Sequence, residues 1–290
     1  MRGESAMKFL VMGANGMAGH TICLYLKERG HEVVGFDLRE SPYVKSFAGN
    51  AKDTELIAKI IREGDFDSVI NAIGLLNQTA DDRRADAVFL NSYLPHFLAD
   101  VTKDMKTNVI HMSTDCVFSG KGGRYTETSL RDGETFYDRS KAMGELEDGK
   151  NVTLRNSIVG PDINENGIGL FNWFMKQSGT INGFGKVMWT GLTTLQLAKA
   201  MEAAAEKKVH GLFNMVHKEN ISKCDLLRLF NKYFRDGAVN IVEKNDVVSD
   251  KTLVRTNFEF DYIIPSYEVM VSEMADWVKA HKELYPHYNL

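Results

Sequence analysis

The sequence predicts an α/β fold, in which a doubly wound parallel sheet is joined to a smaller C-terminal lobe. Short apolar runs alternate with longer amphipathic segments in the first half of the chain, as expected of buried strands covered by helices. A glycine-rich turn follows the first apolar run and opens a helix. Beyond residue 160 the alternation gives way to segments rich in glycine and asparagine, so the boundary between the two parts is expected near that residue.

The elements of the first half are predicted from hydrophobic periodicity and turn residues. The expected strands are KFLVMGA (8–14), EVVGFD (32–37), DSVINAIG (67–74), NVIHMSTD (108–115) and NVTLRNSIVG (151–160). The expected helices cover 17–30, 53–64 and 87–104, and another begins near Tyr137. Asp53 opens the second of these helices and is a candidate N-cap. Strands and helices in this alternation indicate a parallel sheet.

The second half is predicted to be less regular. Segments 161–170 and 178–191 are expected to be loops, with the short aromatic helix FNWFM (171–175) between them. Further helices are expected at 193–208, 222–234 and 266–285, and a strand at 211–216. We therefore expect a main domain at 1–160 and mostly a separate lobe at 161–290, with a strand–helix excursion at about 193–216 that returns to the main domain.

Composition narrows the class of protein. The chain has 290 residues, of which 43% are hydrophobic and 26% charged, as in an ordinary globular protein with a sizeable core. A net charge of −4 provides no basic field, so neither nucleic acid nor an anionic membrane is an expected partner. Three widely separated cysteines favour a reducing cytosol over a disulfide framework, and no metal site is predicted. The oligomeric state is left open, with a homodimer as one option.

The N-terminal residues and the apolar runs bear on localisation. The first six residues, MRGESA, contain no apolar segment of the kind found in a signal peptide. The longest apolar runs are much shorter than a membrane span. We therefore expect a cytoplasmic protein whose functional chain begins at Met7, after a short extension.

The segment VMGANGMAGH places Gly13, Gly16 and Gly19 directly after the first predicted strand. Glycine permits a tight turn, lets a diphosphate approach the backbone amides, and lets the helix pack closely against the strand. The N-terminus of the following helix would present unpaired N–H groups to the phosphates. A purely structural turn is the competing interpretation, but the strand before it and the helix after it favour a Rossmann-type cofactor site that includes Asn15 and Met17.

Two residues at the end of the second predicted strand bear on the choice of cofactor. Asp37 lies 18 residues beyond Gly19, where an acidic side chain can hydrogen-bond an adenosine ribose, which favours NADH. Arg39 follows two residues later and can pair with a 2′-phosphate, which favours NADPH, or lie exposed in solvent. The choice between NADPH and NADH therefore stays open.

The glycine turn is followed in order by NAIG (71–74), STDCVFSG (113–120) and YDRSK (137–141). This constellation resembles the extended short-chain dehydrogenase/reductases, and STDCVFSG is similar to the STDYVFDG-type segment of dTDP-4-dehydrorhamnose reductases. NVTLRNSIVGP and WTGLTTLQLAKAM are also similar to that family, so the resemblance covers essentially the whole chain. It implies a Rossmann-type, NAD(P)-binding main domain and a substrate-binding lobe.

The resemblance implies roles for three residues in catalysis. Tyr137 would be the general acid that protonates the carbonyl oxygen. Lys141, one helical turn further on, would stabilise the phenolate and bind the nicotinamide ribose. Thr114 would hydrogen-bond the substrate oxygen, with its neighbour Ser113 as the competing choice. Ordinary polar termination of a strand is the alternative for both residues, and the Tyr–Lys pair downstream weighs against it.

The resemblance also implies, less specifically, roles for several residues outside this catalytic group. Asn71, Ala72 and Gly74 lie where the family lets the cofactor pass over a strand end. Asn91 matches a helix asparagine that braces the active site, and a packing amide is an equally good interpretation of it.

The residues expected to face the substrate differ from those of dehydrorhamnose reductases. Cys116 and Ile158 replace a tyrosine and a tryptophan that face the sugar in that family. The smaller side chains leave space in the substrate pocket that suits an acetamido group on the sugar. Trp189 is expected to replace the lost aromatic side chains as a wall of that pocket. Asn156, together with Asn164 and Asn166, provides candidate amide partners.

Together these expectations predict a reductase that acts on the 4-keto group of a nucleotide-activated 6-deoxy-hexose. Such an enzyme would serve the synthesis of polysaccharide precursors. A UDP-linked 2-acetamido-4-keto sugar is a competing substrate. A sugar-nucleotide epimerase or dehydratase is a weaker alternative, because the Asp-Glu pair usual in such dehydratases is replaced by Asp115 and Cys116. A non-catalytic, cofactor-binding regulatory subunit is the alternative outside enzymology.

Overall fold

The computed structural model describes residues 6–288, so the expected N-terminal extension lies, apart from Ala6, outside the described residues. The strands are β1 (Lys8–Met12), β2 (Glu32–Asp37), β3 (Lys45–Ala48), β4 (Ser68–Asn71), β5 (Asn108–Ser113), β6 (Val152–Arg155), β7 (Ser157–Val159), β8 (Thr180–Phe184), β9 (Val187–Trp189), β10 (Gly191–Thr193), β11 (Gly211–Asn214), β12 (Ile221–Ser222), β13 (Asn240–Lys244) and β14 (Ser249–Asp250).

Helices cover both faces of the main sheet. They are α1 (Met17–Glu28), α2 (Thr54–Gly64), α3 (Asn77–Asp82), α4 (Arg84–Ala87), α5 (Leu94–Thr102), α6 (Phe136–Met143), α7 (Leu170–Met175), α8 (Thr194–Glu206), α9 (Lys223–Phe234) and α10 (Tyr267–Ala280). Asp53 caps α2 as expected, since its side chain accepts a hydrogen bond from the backbone N–H of Leu56. None of the helices in the described chain is both long and apolar enough to cross a membrane.

The main sheet has seven parallel strands in the order β11-β6-β5-β4-β1-β2-β3. The chain runs outward from β1 to β3 and then returns to place β4 on the other side of β1. One apolar core lies between the sheet and α1, α8 and α10, and a second lies between the sheet and α2 and α5. The predicted doubly wound α/β fold is therefore confirmed. The carboxyl ends of β1 and β4 form the crevice where such sheets bind ligands.

The predicted loop at 178–191 is wrong, because the structure places β8 and β9 there and the first residue of β10. β8 pairs in parallel with β13, and Thr180 is in register with Asn240. β9 lies between β12 and β14. The glycines that suggested a loop instead permit close packing, since a Cβ at Gly183 would lie 2.8 Å from the sulfur of Cys224. Pairing partners so distant in sequence leave no local periodic signal.

The single helix expected at 87–104 is interrupted by a π-helical segment at Val88–Tyr93. Pro95 has no N–H to donate to the carbonyl of Asn91, which removes one α-helical hydrogen bond at this point. The predicted strand 151–160 is also divided, since β6 stays in the main sheet while β7 pairs with β10. The division into domains stays a prediction, and the excursion expected at 193–216 contains α8 and β11, which pairs with β6 at the sheet edge.

Candidate active site

The glycine turn lies at the crevice between β1 and β4. Gly13 has a φ of 82°, and a Cβ there would come within 3.1 Å of the carbonyl oxygen of Ala72. Gly19 packs still more closely, since a Cβ on it would lie 1.9 Å from the Gly13 carbonyl oxygen. No side chain caps α1 at Gly16, so its first amides are available to a ligand. The turn therefore has both the close backbone approach and the helix N-terminus that a diphosphate requires.

Asp37 and Asn15 form the rim of this crevice. The backbone N–H of Asn15 donates to Oδ2 of Asp37 at 2.9 Å, and that of Leu38 donates to Oδ1 at 2.7 Å. The Asn15 side chain donates to the carbonyl oxygen of Arg39 at 3.0 Å, while its own Oδ1 is buried without a partner in the described chain. An unpaired acceptor beside a carboxylate suits the hydroxyl groups of a ribose. The residues at this end of the sheet therefore fit a dinucleotide cofactor.

Met17 connects the cofactor turn to the loop that precedes α7. A Cβ on Gly169 would lie 3.0 Å from the sulfur of Met17. On the other side, the loop after β4 is held by Asn91, whose Oδ1 accepts from the N–H of Leu75 at 2.8 Å. The same amide donates to Ser140 Oγ at 3.0 Å. Asn91 thus links the loop that contains Ala72 and Gly74 to helix α6.

Helix α6 begins with a capping box between Thr135 and Asp138, which fixes its entry. Tyr137 and Lys141, one turn apart, are both buried, with 7% and 5% of their surface exposed. Burial raises the pKa of Tyr137 well above its usual range, the nearby Cys116 adds to this, and the nearby hydroxyl of Thr114 acts in the opposite direction. The phenol is therefore protonated at neutral pH and lies beside the hydroxyl predicted to hold the substrate oxygen.

The amine of Lys141 points to the strand rather than to the phenol. Its Nζ donates to the carbonyl oxygen of Met112 at 2.7 Å and lies 3.5 Å from Nε2 of His111. Burial lowers the pKa of Lys141 to about 8, and Glu145 acts in the opposite direction. Lys141 is not among the strongest influences on the pKa of Tyr137. The expected stabilisation of the phenolate by Lys141 is thus not visible in this arrangement.

Ser113 and Thr114, left as alternatives by the sequence, face different surroundings. The Ser113 hydroxyl donates to the buried carboxylate of Glu145 at 2.6 Å, which also binds Arg155 through two hydrogen bonds. The Thr114 hydroxyl accepts from the N–H of Cys116 at 3.1 Å, donates to Oδ1 of Asp115 at 3.1 Å and lies near enough to Tyr137 to influence its pKa. Ser113 therefore belongs to an internal ionic network, and Thr114 lies at the site.

A pocket of about 330 Å³ is lined by Asp115 and Cys116, the two residues that follow Thr114. Cys116, Ile158 and Trp189, the three predicted wall residues, all line it. Asn156 lies just outside this lining and donates its amide to the carbonyl oxygen of Ser157 at 2.9 Å. The ring of Trp189 also packs against Tyr267, with centroids 5.7 Å apart.

Three charged residues of this pocket were not predicted as site residues, namely Asp115, Lys223 and Lys251. Burial raises the pKa of Asp115, while its hydrogen bonds with Ser157 and Thr114 and the charges of the two lysines act in the opposite direction. Asp115 belongs to the motif STDCVFSG (113–120), but the sequence analysis relates it only to the Asp-Glu pair of dehydratases. The lysines come from the first residue of α9 and the residue after β14, and no local motif pointed to them.

The pocket continues into an outer groove of about 530 Å³. Leu170 and Lys223 line both cavities. The groove adds Lys176 and the indole of Trp173, of which 42% is exposed. A long polar ligand with anionic groups can therefore extend from the pocket past Lys223 into the groove.

The RmlD substrate binding domain family matches residues 7–241 of this chain. The probable low-salt glycan biosynthesis reductase Agl14 of Haloferax volcanii is 34% identical over 143 residues, which are 48% of each chain. The spore coat polysaccharide biosynthesis protein SpsK of Bacillus subtilis is 29% identical over 140 residues, 48% of this chain and 47% of that protein. The matches thus span about half the length of these curated relatives.

Solved structures share the fold. A dTDP-4-dehydrorhamnose reductase from Bacillus anthracis in complex with NADP is 16% identical, with a TM-score of 0.76 over 92% of this chain and 98% of that one. The enzyme WbmG of Bordetella bronchiseptica in complex with NAD and UDP is 18% identical, with a TM-score of 0.74 over 96% of each chain. The family match covers most of the sequence, and the predicted resemblance is confirmed at that level. This chain belongs to the family of the RmlD substrate binding domain.

Proposed function

We propose that this protein is an NAD(P)H-dependent reductase of the 4-keto group of a nucleotide-activated 6-deoxy-hexose, which supplies a precursor of cell-surface polysaccharide or glycan. One observation carries the proposal: Tyr137 is buried with its hydroxyl near Thr114, and it packs with Cys116, which lines the pocket. The glycan and polysaccharide names of the curated relatives support the assignment to that biosynthetic context.

The cofactor would supply the hydride, and this chain's residues hold and orient it. The first amides of α1, from Met17 onward, suit the diphosphate, and Asp37 suits the adenosine ribose. Asn71 and Ala72 end β4 at the crevice, where Asn71 is fully buried and Ala72 packs on Gly13. Lys141 would hold the nicotinamide ribose. Both NADPH and NADH are compatible with a site that consists of these backbone amides and the carboxylate of Asp37.

In the proposed reaction Tyr137 gives its proton to the carbonyl oxygen and Thr114 keeps that oxygen in place. The raised pKa of Tyr137 keeps it protonated before the reaction. It also makes the phenolate costly in this buried position, so a positive charge near Tyr137 is needed when the proton leaves. Lys141 is the cation one helical turn away on the same helix.

Lysine side chains support a nucleotide-linked substrate. Lys223 and Lys251 line the pocket, and Lys176 lines the groove that continues from it. A sugar joined to a diphosphate has its anionic groups next to the sugar ring. The three ammonium groups lie along the path such a ligand would take, and Trp173 offers an exposed ring for stacking of the base.

The wall residues favour a sugar with a bulky C2 substituent. Cys116 and Ile158 stand where the resemblance implies larger aromatic side chains, and both face the pocket. An acetamido group needs hydrogen-bond partners, since a buried unpaired polar group costs about 1–3 kcal/mol. Asp115 lies in the lining and is a nearer candidate partner than Asn156. We therefore propose a UDP-linked 2-acetamido-4-keto-6-deoxy sugar as the competing substrate.

Oxidation of NADH and NADPH against dTDP- and UDP-linked 4-keto-6-deoxy sugars tests the proposal, with products identified by NMR. We expect stoichiometric cofactor oxidation and a new 4-hydroxyl group. The ratio of kcat/KM for the acetamido and plain deoxy sugars decides between the two substrates, because it compares transition-state binding. Product formation without net cofactor oxidation would instead favour the epimerase or dehydratase alternative. Tight cofactor binding with no turnover of any sugar would favour a regulatory subunit.

A further inference from the structure

A buried histidine lies next to the amine of Lys141. His111 is on β5, fully buried, with Nε2 3.5 Å from Lys141 Nζ and Nδ1 3.2 Å from the amide nitrogen of Asn71. The reaction proposed above uses Lys141 and gives His111 no role. A fully buried imidazole that contacts an active-site amine calls for a physical account of its protonation state.

The hydrogen bonds of Asn71 determine which nitrogen of His111 carries the proton. The backbone N–H of Ile73 donates to Oδ1 of Asn71 at 3.2 Å. A backbone N–H can only donate, so the oxygen of the amide must face it and the NH₂ must face His111. Nδ1 of His111 is therefore an acceptor. A neutral imidazole with an unprotonated Nδ1 carries its hydrogen on Nε2, the atom next to Lys141.

The Nε2–H of His111 disfavours a charged Lys141. An ammonium group has only donors, and one of them already binds the carbonyl oxygen of Met112 at 2.7 Å. A second N–H group facing the remaining hydrogens is repulsive, whereas a neutral amine has a lone pair that can accept from Nε2–H. The same contact explains why Lys141 adds to the effect of burial in holding the pKa of His111 well below its ordinary value.

Other charged groups near this pair are already compensated or weaker. Glu145 favours the charged form of Lys141, but its carboxylate is bound by Arg155 and Ser113. His96 acts on His111 more weakly than Lys141 does. The hydroxyl of Tyr137 stays protonated, so it brings no charge to this pair before the reaction.

We propose that His111 is a positioning residue whose Nε2–H group faces the amine of Lys141 and disfavours its charged form. The proposal rests on the proposed function in so far as Lys141 serves a reductase. Because the pKa of Lys141 is lowered to about 8, the ammonium is present below that pH and is lost as the pH rises through it. Turnover should therefore fall on the alkaline side of about pH 8.

The test measures the pKa of Lys141 directly, by NMR of lysine labelled with ¹³C at Cε in the full chain without substrate. Lys141→Arg identifies the signal by its loss. His111→Leu keeps the site buried but removes Nε2–H, so the pKa of Lys141 should rise by about one unit or more. Met112→Leu, which keeps the same backbone carbonyl, should leave it unchanged. The alkaline limb of kcat in His111→Leu should move upward by the same amount.

An unchanged pKa of Lys141 in a folded His111→Leu overturns the proposal. If that variant does not fold, ¹⁵N shifts of the wild-type imidazole still decide, because a proton on Nδ1 of His111 at pH 7 contradicts the argument. A shifted Lys141 pKa in a protein that reduces no sugar would sustain the His111 coupling while the reductase assignment fails. The two conclusions can therefore fail separately.

Discussion

The cofactor crevice and the substrate pocket are built in different ways. The crevice uses the turn from Gly13 to Gly19 with the ends of β2 and β4, the two strands that flank β1, which contribute Asp37 and Ala72. The pocket draws on six separate segments, those around Asp115, Ile158, Leu170, Trp189, Lys223 and Lys251. A motif that is continuous in sequence has its geometry determined largely by local backbone constraints. A pocket assembled from distant segments exists only when the strands β7, β9 and β14 are in place.

Changing Tyr137, the proposed proton donor, should have the largest effect. Tyr137→Phe keeps the ring and its packing but removes the proton donor, so kcat should fall by about 100-fold or more. Cofactor affinity, measured by fluorescence titration, should stay nearly unchanged. Tyr233→Phe is the matched control, since that hydroxyl only bonds Glu268 on the surface. Near-wild-type turnover of the true substrate by Tyr137→Phe would remove Tyr137 from the reaction.

The crevice should be intolerant of a single added methyl group. Helix propensity favours Gly19→Ala by about 1 kcal/mol, but its Cβ would lie 1.9 Å from the Gly13 carbonyl oxygen. Overpacking costs about 1–3 kcal/mol, so the free energy of unfolding and the cofactor affinity should both fall. Gly149→Ala, with nothing within 4 Å of its Cβ, is the control. Chemical denaturation and cofactor titration measure both quantities, and equal behaviour of the two variants would contradict the close-packing argument.

The pocket should respond to the loss of one charge through substrate binding. Lys251→Ala is expected to raise KM about tenfold, because a charged hydrogen bond contributes about 1.5–3 kcal/mol and 1.4 kcal/mol corresponds to tenfold. Cofactor affinity should not change, since Lys251 lies on the substrate side. Lys244→Ala removes an exposed charge from β13 and serves as the control. A loss confined to kcat would mean that Lys251 does not bind the ground-state substrate.

The smallest expected effect concerns the choice between NADH and NADPH. Asp37→Ala should weaken both cofactors, because Asp37 also accepts from the N–H of Asn15 in the turn. It should weaken NADH more, by about threefold to tenfold, if the carboxylate also accepts from the ribose. Arg39→Ala should affect only NADPH. Equal losses for the two cofactors in titrations of Asp37→Ala would remove Asp37 from the ribose contact.

Local signals were sufficient where a residue's role depends on its immediate neighbours. The glycine turn, the Asp53 cap and the spacing of Tyr137 and Lys141 on one helix were all readable from short segments. Local signals failed where the partner is remote. The sequence predicts a loop where β8 and β9 lie, because the partners of these strands, β13, β12 and β14, follow tens of residues later. Nothing near Lys223 or Lys251 in sequence distinguishes them from other surface lysines.

By itself the sequence determined the alternation of strands and helices, the glycine turn after β1 and the placing of Tyr137 and Lys141 on one helix, because backbone sterics and helical periodicity act over a few residues. Tertiary structure alone decided that Thr114 meets Tyr137 while Ser113 turns to Glu145. It also decided that the amine of Lys141 meets His111. Adjacent residues of a strand point to opposite faces, and only the packing of the sheet decides what each face meets.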